Sequence, residues 1–285
     1  MSQALPTHSS AGVAACLLVH GQPSYAEAAR VAVESLLADT DFEVFVAHGP
    51  GPVASWPDHP RLRRQALPAE APEGPRAQRF LKKFEALSCC LQQCAARWIV
   101  QLDADVVLAR PLRERDLREA LGGADLGMVE QKSIRGSAMN RAAFLDHYTR
   151  HSLALLDPQT PPPALPDFRF YNSGVVVGPR RTWERLVPWA IATIARQPGQ
   201  HQVGEHMIAD QDYFQYWANT LHPGTCAELP WFWNHCEYWD DPFPRRGVLF
   251  AHFSNFCNGP AVDTASRMKA LRHPWTRFRN RCTPR

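Results

Sequence analysis

A chain of 285 residues, 45% hydrophobic and 21% charged, has an ordinary globular balance and is long enough for one large α/β domain or two small ones. Its net charge of +3 is too mild for a nucleic-acid surface, which needs a strong basic patch, so nucleic acid is not expected as a partner. No apolar run approaches the ~20 residues of a membrane span, and the opening M-S-Q-A-L-P-T-H-S-S lacks the basic-then-apolar pattern of a secretory signal, so a cytoplasmic location is expected.

Residues 1–10 read as a loose tail. G12-V-A-A-C-L-L-V19 is a short apolar run that predicts a buried strand. Residues 24–38 have helical apolar spacing with Ser24 at the N-cap, and F42-E-V-F-V-A-H48 predicts a second strand broken by G-P-G-P at 49–52. Strand, helix, strand in this order is a βαβ unit and implies a parallel sheet. Residues 53–76, rich in proline and charge, read as irregular, and 77–96 as a helix. Cys89, Cys90 and Cys94 fall in that helical pattern, and with no C-x-x-C in the chain the eight cysteines read as free thiols.

W98-I-V-Q-L-D-A-D-V-V-L-A-R-P-L112 follows, and it poses a physical problem. Asp103 and Asp105 sit one residue apart in a run that otherwise wants burial. An unpaired buried carboxylate costs several kcal/mol, and two close together also repel. If 98–102 is a strand of an open parallel sheet, its C-terminal end is where ligands bind, and strand alternation points both carboxylates the same way. D-x-D there suits a divalent cation held by oxygen ligands.

A helix at 112–121, a strand at 125–130, a helix at 141–156 and a Pro-rich loop at 157–167 come next. F168-R-F-Y-N-S-G-V-V-V-G178 predicts a strand interrupted by N-S-G, followed by helices at 181–196 and 205–219. The Trp-rich L229-P-W-F-W-N-H-C-E-Y-W239 precedes a last strand at 247–253. No internal repeat or clean linker appears, so a single domain over 11–263 is expected, with 264–285 as a basic tail.

The D-A-D pair, F-Y-N-S-G-V-V-V, D210-Q-D212, L-P-x-x-W-N and the His252-Phe253 that closes a strand occur in one order across roughly 12–255. In that order and spacing the chain resembles glycosyltransferase family 8, whose members include glycogenin and bacterial lipopolysaccharide galactosyl- and glucosyltransferases. The resemblance implies a GT-A (Rossmann-like) α/β fold with a mostly parallel central sheet flanked by helices. It also implies a nucleotide-diphosphosugar donor, usually UDP-linked, a Mn²⁺ (or Mg²⁺) ion, and transfer with retention to a saccharide or lipid-linked hydroxyl, such as a lipopolysaccharide core.

Residue by residue, Asp103, Asp105 and His252 match the family's metal ligands. Asn172, Ser173 and Gly174 match an element lining the sugar and acceptor side, where an amide and a close approach at Gly suit hydroxyl recognition. Asp210 and Gln211 match the pair beside the anomeric carbon, Asp210 binding sugar hydroxyls and Gln211 facing the reacting carbon. His20, Tyr25 and Ala104 fall on the nucleotide side, Tyr25 where an aromatic stacks on the base. Lys83 matches a lysine near the diphosphate or donor sugar, with Lys82 or Arg79 as alternatives, and Glu130 a sugar-binding acid.

The chain departs from the family after His252, where many members carry G-x-x-K-P-W. Here Gly259-Pro260 is displaced, leaving Lys269, Arg267 or Arg272 to replace the phosphate-binding Lys. A non-catalytic sugar-nucleotide or carbohydrate-binding protein on the same fold is the alternative this departure favours. From Thr264 to Arg285 there are seven Lys/Arg and no acids, with Trp275 and Phe278 interleaved. Such a tail suits peripheral contact with an anionic membrane surface.

Overall fold

The apolar run Val13–Val19 forms β1, Glu43–His48 forms β2, Leu62–Ala66 forms β3 and Trp98–Leu102 forms β4. Leu126–Glu130 is β6, Tyr171–Pro179 is β7 and Cys226–Leu229 is β8. These seven strands make one sheet in the order β8-β6-β7-β4-β1-β2-β3. All neighbours are parallel except β7, which runs antiparallel to both β4 and β6. Val106–Leu108 (β5), His235–Cys236 (β9) and Phe250–His252 (β10) form a second, small sheet in the order β9-β10-β5. The computed structural model of the chain describes residues 12–20, 23–49, 53, 56, 58–68, 76–134, 137–196, 202–203, 206–236, 247–253 and 264–279. The expected tail at 1–10 and the Gly259-Pro260 stretch lie outside these residues.

Alternation sorts the strand side chains onto two faces. Val13, Ala15, Leu17, Val44, Val46, Val100, Leu102, Val175 and Val177 pack on one face, and Ala14, Cys16, Phe45, Ala47, Ile99 and Val176 on the other. The first face is covered by α1 (Pro23–Asp39), α3 (Glu114–Leu121), the small sheet and α7 (Thr264–Arg279). The second is covered by α2 (Arg76–Gln93), α5 (Arg180–Arg196) and α6 (Asp210–Tyr216). The result is one α/β domain with a mostly parallel central sheet between two helical layers.

Two arginines close helix ends that would otherwise leave carbonyls orphaned. Arg61 donates to Leu37 O, Thr40 O and Phe42 O at the end of α1, at 2.5, 2.8 and 3.1 Å. Arg180 donates to Leu91 O and Cys94 O beyond α2, at 2.5 and 2.6 Å. The six cysteines among the described residues are free thiols, and Cys16, Cys90 and Cys94 are buried in the core.

Several expectations change in the structure. The irregular stretch 53–76 contains β3, whose L-R-R-Q-A has no apolar period because it is a partly exposed edge strand. The strand through N-S-G is continuous rather than interrupted, and Asp103 N–H donates to Gly174 O at 2.9 Å to extend the β4 ladder. The helix expected at 141–156 is α4 (Arg141–Tyr148) followed by a wider, π-type turn at Thr149–Leu153. The helix expected at 205–219 begins at Asp210 and ends in a second such turn, Trp217–Leu221. The basic segment from 264 is helical, with Thr264, Ala265 and Met268 buried and Arg272 paired with Asp39 at 3.5 Å.

Candidate active site

β4 ends at Leu102, and the chain turns before β5 begins at Val106, with Val106 N–H donating to Asp103 O at 3.1 Å. Asp103, Ala104 and Asp105 therefore lie on a turn at the C-terminal edge of the sheet, not on a continuing strand as the alternation argument assumed. The turn brings the two carboxylates together nonetheless. β10 pairs antiparallel with β5, placing His252 opposite Val106, and Phe253 N–H donates to Asp105 O at 2.9 Å. His252 Nε2 then lies 3.4 Å from Asp105 Oδ1 and 3.7 Å from Asp103 Oδ2. One ligand atom from each of the three residues falls within 4.8 Å of the others, with Asp105 and His252 buried.

Because β7 is antiparallel, its first residues lie at the same edge. Gly174 is required there by packing. A Cβ at this position would stand 2.5 Å from Cε1 and Nδ1 of His252 and 2.9 Å from Asn172 Oδ1. Asn172 Oδ1 accepts from Gly174 N–H at 2.8 Å and from Asn234 Nδ2 at 2.5 Å, and Asn234 Oδ1 lies 3.2 Å from His252 Nδ1. Asn172 Nδ2 donates at 3.4 Å to both Gln131 Oε1 and Gln211 Oε1, and Gln211 Nε2 donates to Gln131 Oε1 at 3.1 Å.

Lys83 reaches the cluster from α2. Its ammonium lies 2.6 Å from Asp103 Oδ1 and 2.5 Å from Asp210 Oδ2, with all but 7% of the side chain buried. Lys82 instead pairs with Glu85 at 3.2 Å, and the side chain of Arg79 lies outside the described residues. Burial would lower the Lys83 pKa, but the charges of Asp103 and Asp210 overcome it and hold the ammonium above its usual range. Burial would raise Asp103, yet Lys83 and His252 outweigh it and its carboxyl is held below the ordinary value. Asp210 goes the other way: burial lifts it, Lys83 opposes, and the Asp103 charge adds to the rise. Burial would lower His252, and the charges of Asp105 and Asp103 raise it instead.

Asp103 and Asp210 thus share one ammonium in a poorly hydrated place with Asp105 close by, an arrangement that a further cation would compensate. The donor set fits a divalent metal. His252 turns Nε2 toward the acids while Nδ1 is engaged by Asn234, the arrangement of a neutral imidazole ligand. One nitrogen beside carboxylate oxygens suits Mn²⁺ better than Ca²⁺, which prefers oxygen alone.

The remaining expected residues lie around this centre. Ser173 is buried and hydrogen-bonds Asp210. Asp212 accepts from Ala209 N–H at 2.8 Å and from Ser152 Oγ at 2.5 Å, fixing the start of α6 and so the placement of Asp210 and Gln211. Glu130 pairs with Arg141 at 3.4 Å, and it is the next residue, Gln131, that meets the amides of Asn172 and Gln211. His20 follows β1 with its ring against Gly49, and Tyr25 is half-buried in the first turn of α1, both on the edge that carries the Asp pair. Of the three cations named to replace the phosphate-binding Lys, Arg272 is held by Asp39, Arg267 lies over the Phe253 ring at 5.5 Å, and Lys269 is exposed. Sequence reasoning missed Gln131, Asn234 and Ser152. Only Asn234 carried a signal, as the last residue of L-P-x-x-W-N.

A sheet of this order, with an acid pair at the end of β4 and a histidine closing the small sheet beside it, is the GT-A fold that solved glycosyltransferase structures share. Among solved structures the chain is similar to the galactosyltransferase LgtC in complex with donor and acceptor sugar analogs, at TM-score 0.54 and 16% identity, covering 90% of this chain and 95% of that chain. An active-site mutant of LgtC aligns at 0.52 and 16% identity over the same shares of 90% and 95%. Mouse xyloside xylosyltransferase 1 in its apo form aligns at 0.49 and 17% identity, covering 87% and 99%. No family model matches the sequence. No curated protein matches it either.

Proposed function

We propose that the chain is a metal-dependent, retaining glycosyltransferase. It moves a hexose from a nucleotide-diphosphosugar, UDP-linked, to a hydroxyl of a saccharide or lipid-linked acceptor such as a lipopolysaccharide core. The observation that carries the reading is the convergence of Asp103, Asp105 and His252 beside Lys83, Asp210 and Gln211 at one sheet edge. The fold's likeness to a galactosyltransferase that holds donor and acceptor sugar analogs supports it.

Asp103, Asp105 and His252 would hold Mn²⁺ or Mg²⁺, which when bound compensates the acids and the charge growing on the leaving nucleoside diphosphate. Asp210 and the amides of Asn172, Gln131 and Gln211 offer acceptors and donors to sugar hydroxyls. In transfer, the bond from the anomeric carbon to the β-phosphate oxygen breaks with its electron pair going to phosphate. The acceptor oxygen bonds to that carbon, and its proton passes to the leaving phosphate oxygen. Gln211 is a poor nucleophile, so attack on the face of the leaving group accounts better for retention than a covalent glycosyl-enzyme. His20, Tyr25 and the backbone at Ala104 are assigned to the nucleotide. We take 11–263 as the transferase domain of a cytoplasmic protein. The basic residues of the 264–285 segment, whose first turns pack on the domain, are its contact with an anionic membrane surface; no helix among the described residues is long and apolar enough to cross one.

The test is a panel of UDP-, GDP- and ADP-sugars with nucleoside diphosphate release followed with and without Mn²⁺, in wild type and Asp105→Ala. Mn²⁺-dependent release from one donor, absent in the variant, supports the reading. Absence of both release and Mn²⁺-dependent donor binding overturns it.

A further inference from the structure

The amide chain running from His252 to Gln211 has a direction that can be read without assuming any side-chain orientation. A backbone N–H can only donate. Gly174 N–H donates at 2.8 Å to the amide end of Asn172, so that end is its carbonyl oxygen. The same oxygen lies 2.5 Å from the amide of Asn234, which must therefore present its NH₂. The oxygen of Asn234 is then left facing His252 Nδ1 at 3.2 Å, and accepts a hydrogen bond from its N–H. Whenever the ring is neutral, His252 is then the Nδ1–H tautomer, with Nε2, the position a metal or a second proton would take, facing Asp103 and Asp105. In the other direction, the NH₂ of Asn172 faces Gln211 Oε1 and Gln131 Oε1, each at 3.4 Å, so Gln211 turns its own NH₂ to Gln131 at 3.1 Å. Burial makes each step costly to reverse, because Asn234 is fully buried and Asn172 and His252 are 6% and 5% exposed.

We propose that Asn234, through Asn172, is a positioning residue that acts at both ends of this relay. At one end it holds His252 in the tautomer a metal needs. At the other it holds Asn172, whose polarity Gly174 N–H fixes, in place against the Gln211 amide that meets the donor sugar. The proposal rests on the metal and sugar assignments made above. It adds that the two subsites share one hydrogen-bond polarity, set by a single backbone N–H at Gly174.

Two variants separate this from a merely structural role. Asn234→Asp keeps an oxygen for His252 Nδ1–H but turns a second oxygen onto Asn172 Oδ1, breaking the relay in the middle. Asn234→Ala removes both contacts. Binding of Mn²⁺ alone is measured by titration calorimetry, with thermal unfolding as control. Asn234→Ala should bind Mn²⁺ about 10–100-fold more weakly, the usual cost of losing an outer partner of a metal-bound histidine. Asn234→Asp should bind it at least as tightly as wild type, yet lose donor turnover as Asn234→Ala does. Equal loss of Mn²⁺ affinity in both variants, in step with loss of melting temperature, overturns the relay.

A wild type that binds no Mn²⁺ fails the metal reading by itself. The relay is then judged on a second measurement, ¹⁵N spectra of the His252 ring in metal-free protein at alkaline pH. The Nδ1–H tautomer in wild type, lost in Asn234→Ala, upholds the relay, and Nε2–H in wild type overturns it.

Discussion

His252 occupies the space that a side chain on residue 174 would need: a Cβ built on Gly174 would stand 2.5 Å from two atoms of the imidazole. Glycine here leaves room for the imidazole, since the ring closes over the backbone of β7. Gly174→Ala should push His252 away from Asp103 and Asp105 and also crowd Asn172. Overpacking of this kind costs about 1–3 kcal/mol, so the variant should still fold. Its Mn²⁺ affinity should fall at least tenfold, read by calorimetry on the folded variant. Unchanged affinity would show that the ring tolerates the methyl group and that the close approach does not position it.

Lys83 is the only described side chain that touches both Asp103 and Asp210, at 2.6 and 2.5 Å. Removing one partner of a buried ion pair leaves the other charge uncompensated, at a cost of about 3–5 kcal/mol. Lys83→Met should therefore destabilise the metal-free protein by roughly that amount at neutral pH, measured by urea unfolding. The deficit should shrink at pH 5, because Asp210, already raised by burial, takes up a proton more readily once Lys83 is gone. A loss that is independent of pH would mean that packing of the lysine stem, not its charge, matters here.

The sequence made some parts of this site legible and hid others for physical reasons. β1, β2, β4 and β6 announce themselves because strands buried on both faces must be apolar throughout. The acid pair and His252 stood out because charged or titratable groups at the ends of such runs need a reason to be there. β3 was invisible because an edge strand carries no such requirement, and its L-R-R-Q-A reads as loop. Asn234, Gln131 and Ser152 act singly, through contacts with residues 18, 41 and 60 positions away, and no local pattern encodes those contacts. Glu130 was the residue named from the sequence; it pairs with Arg141, while its neighbour Gln131 meets the amides of Asn172 and Gln211 at the end of β6, where the register with β7 shifts between Gly127 and Val129. The convergence of Asp103 and Asp105 was expected for an incomplete reason. A turn and the small sheet bring them together, not strand alternation.

Asp212 links the segment after α4 to the start of α6, where Asp210 and Gln211 sit. Its carboxylate accepts Ala209 N–H at 2.8 Å and the Ser152 hydroxyl at 2.5 Å, and it is buried. Asp212→Ala removes a cap at the first turn of α6, which costs about 1–2 kcal/mol, and lets Asp210 and Gln211 drift. Donor turnover should drop sharply while Mn²⁺ binding stays near wild type, because Asp103, Asp105 and His252 stand on other elements. Parallel losses of both would place Asp212 in the general stability of the fold instead.

The pH dependence of the metal-free protein follows from His252. Its pKa is raised above the ordinary 6.5 because Asp105 and Asp103 outweigh the effect of burial. A histidine with a raised folded pKa contributes stability that is fully present below its unfolded value and is lost as pH rises through the folded value. Metal-free wild type should therefore become less stable as pH rises from 6 through the alkaline side of the histidine range. His252→Gln, which cannot titrate, should flatten that slope in urea unfolding series taken at fixed ionic strength. Mn²⁺ competes with the same proton, so its protection should grow over the same interval in which the metal-free protein weakens. A metal-free wild type whose stability over this interval matches the slope of His252→Gln would show that the two aspartates do not hold a proton on the ring, and the electrostatic account of the cluster would fall with it.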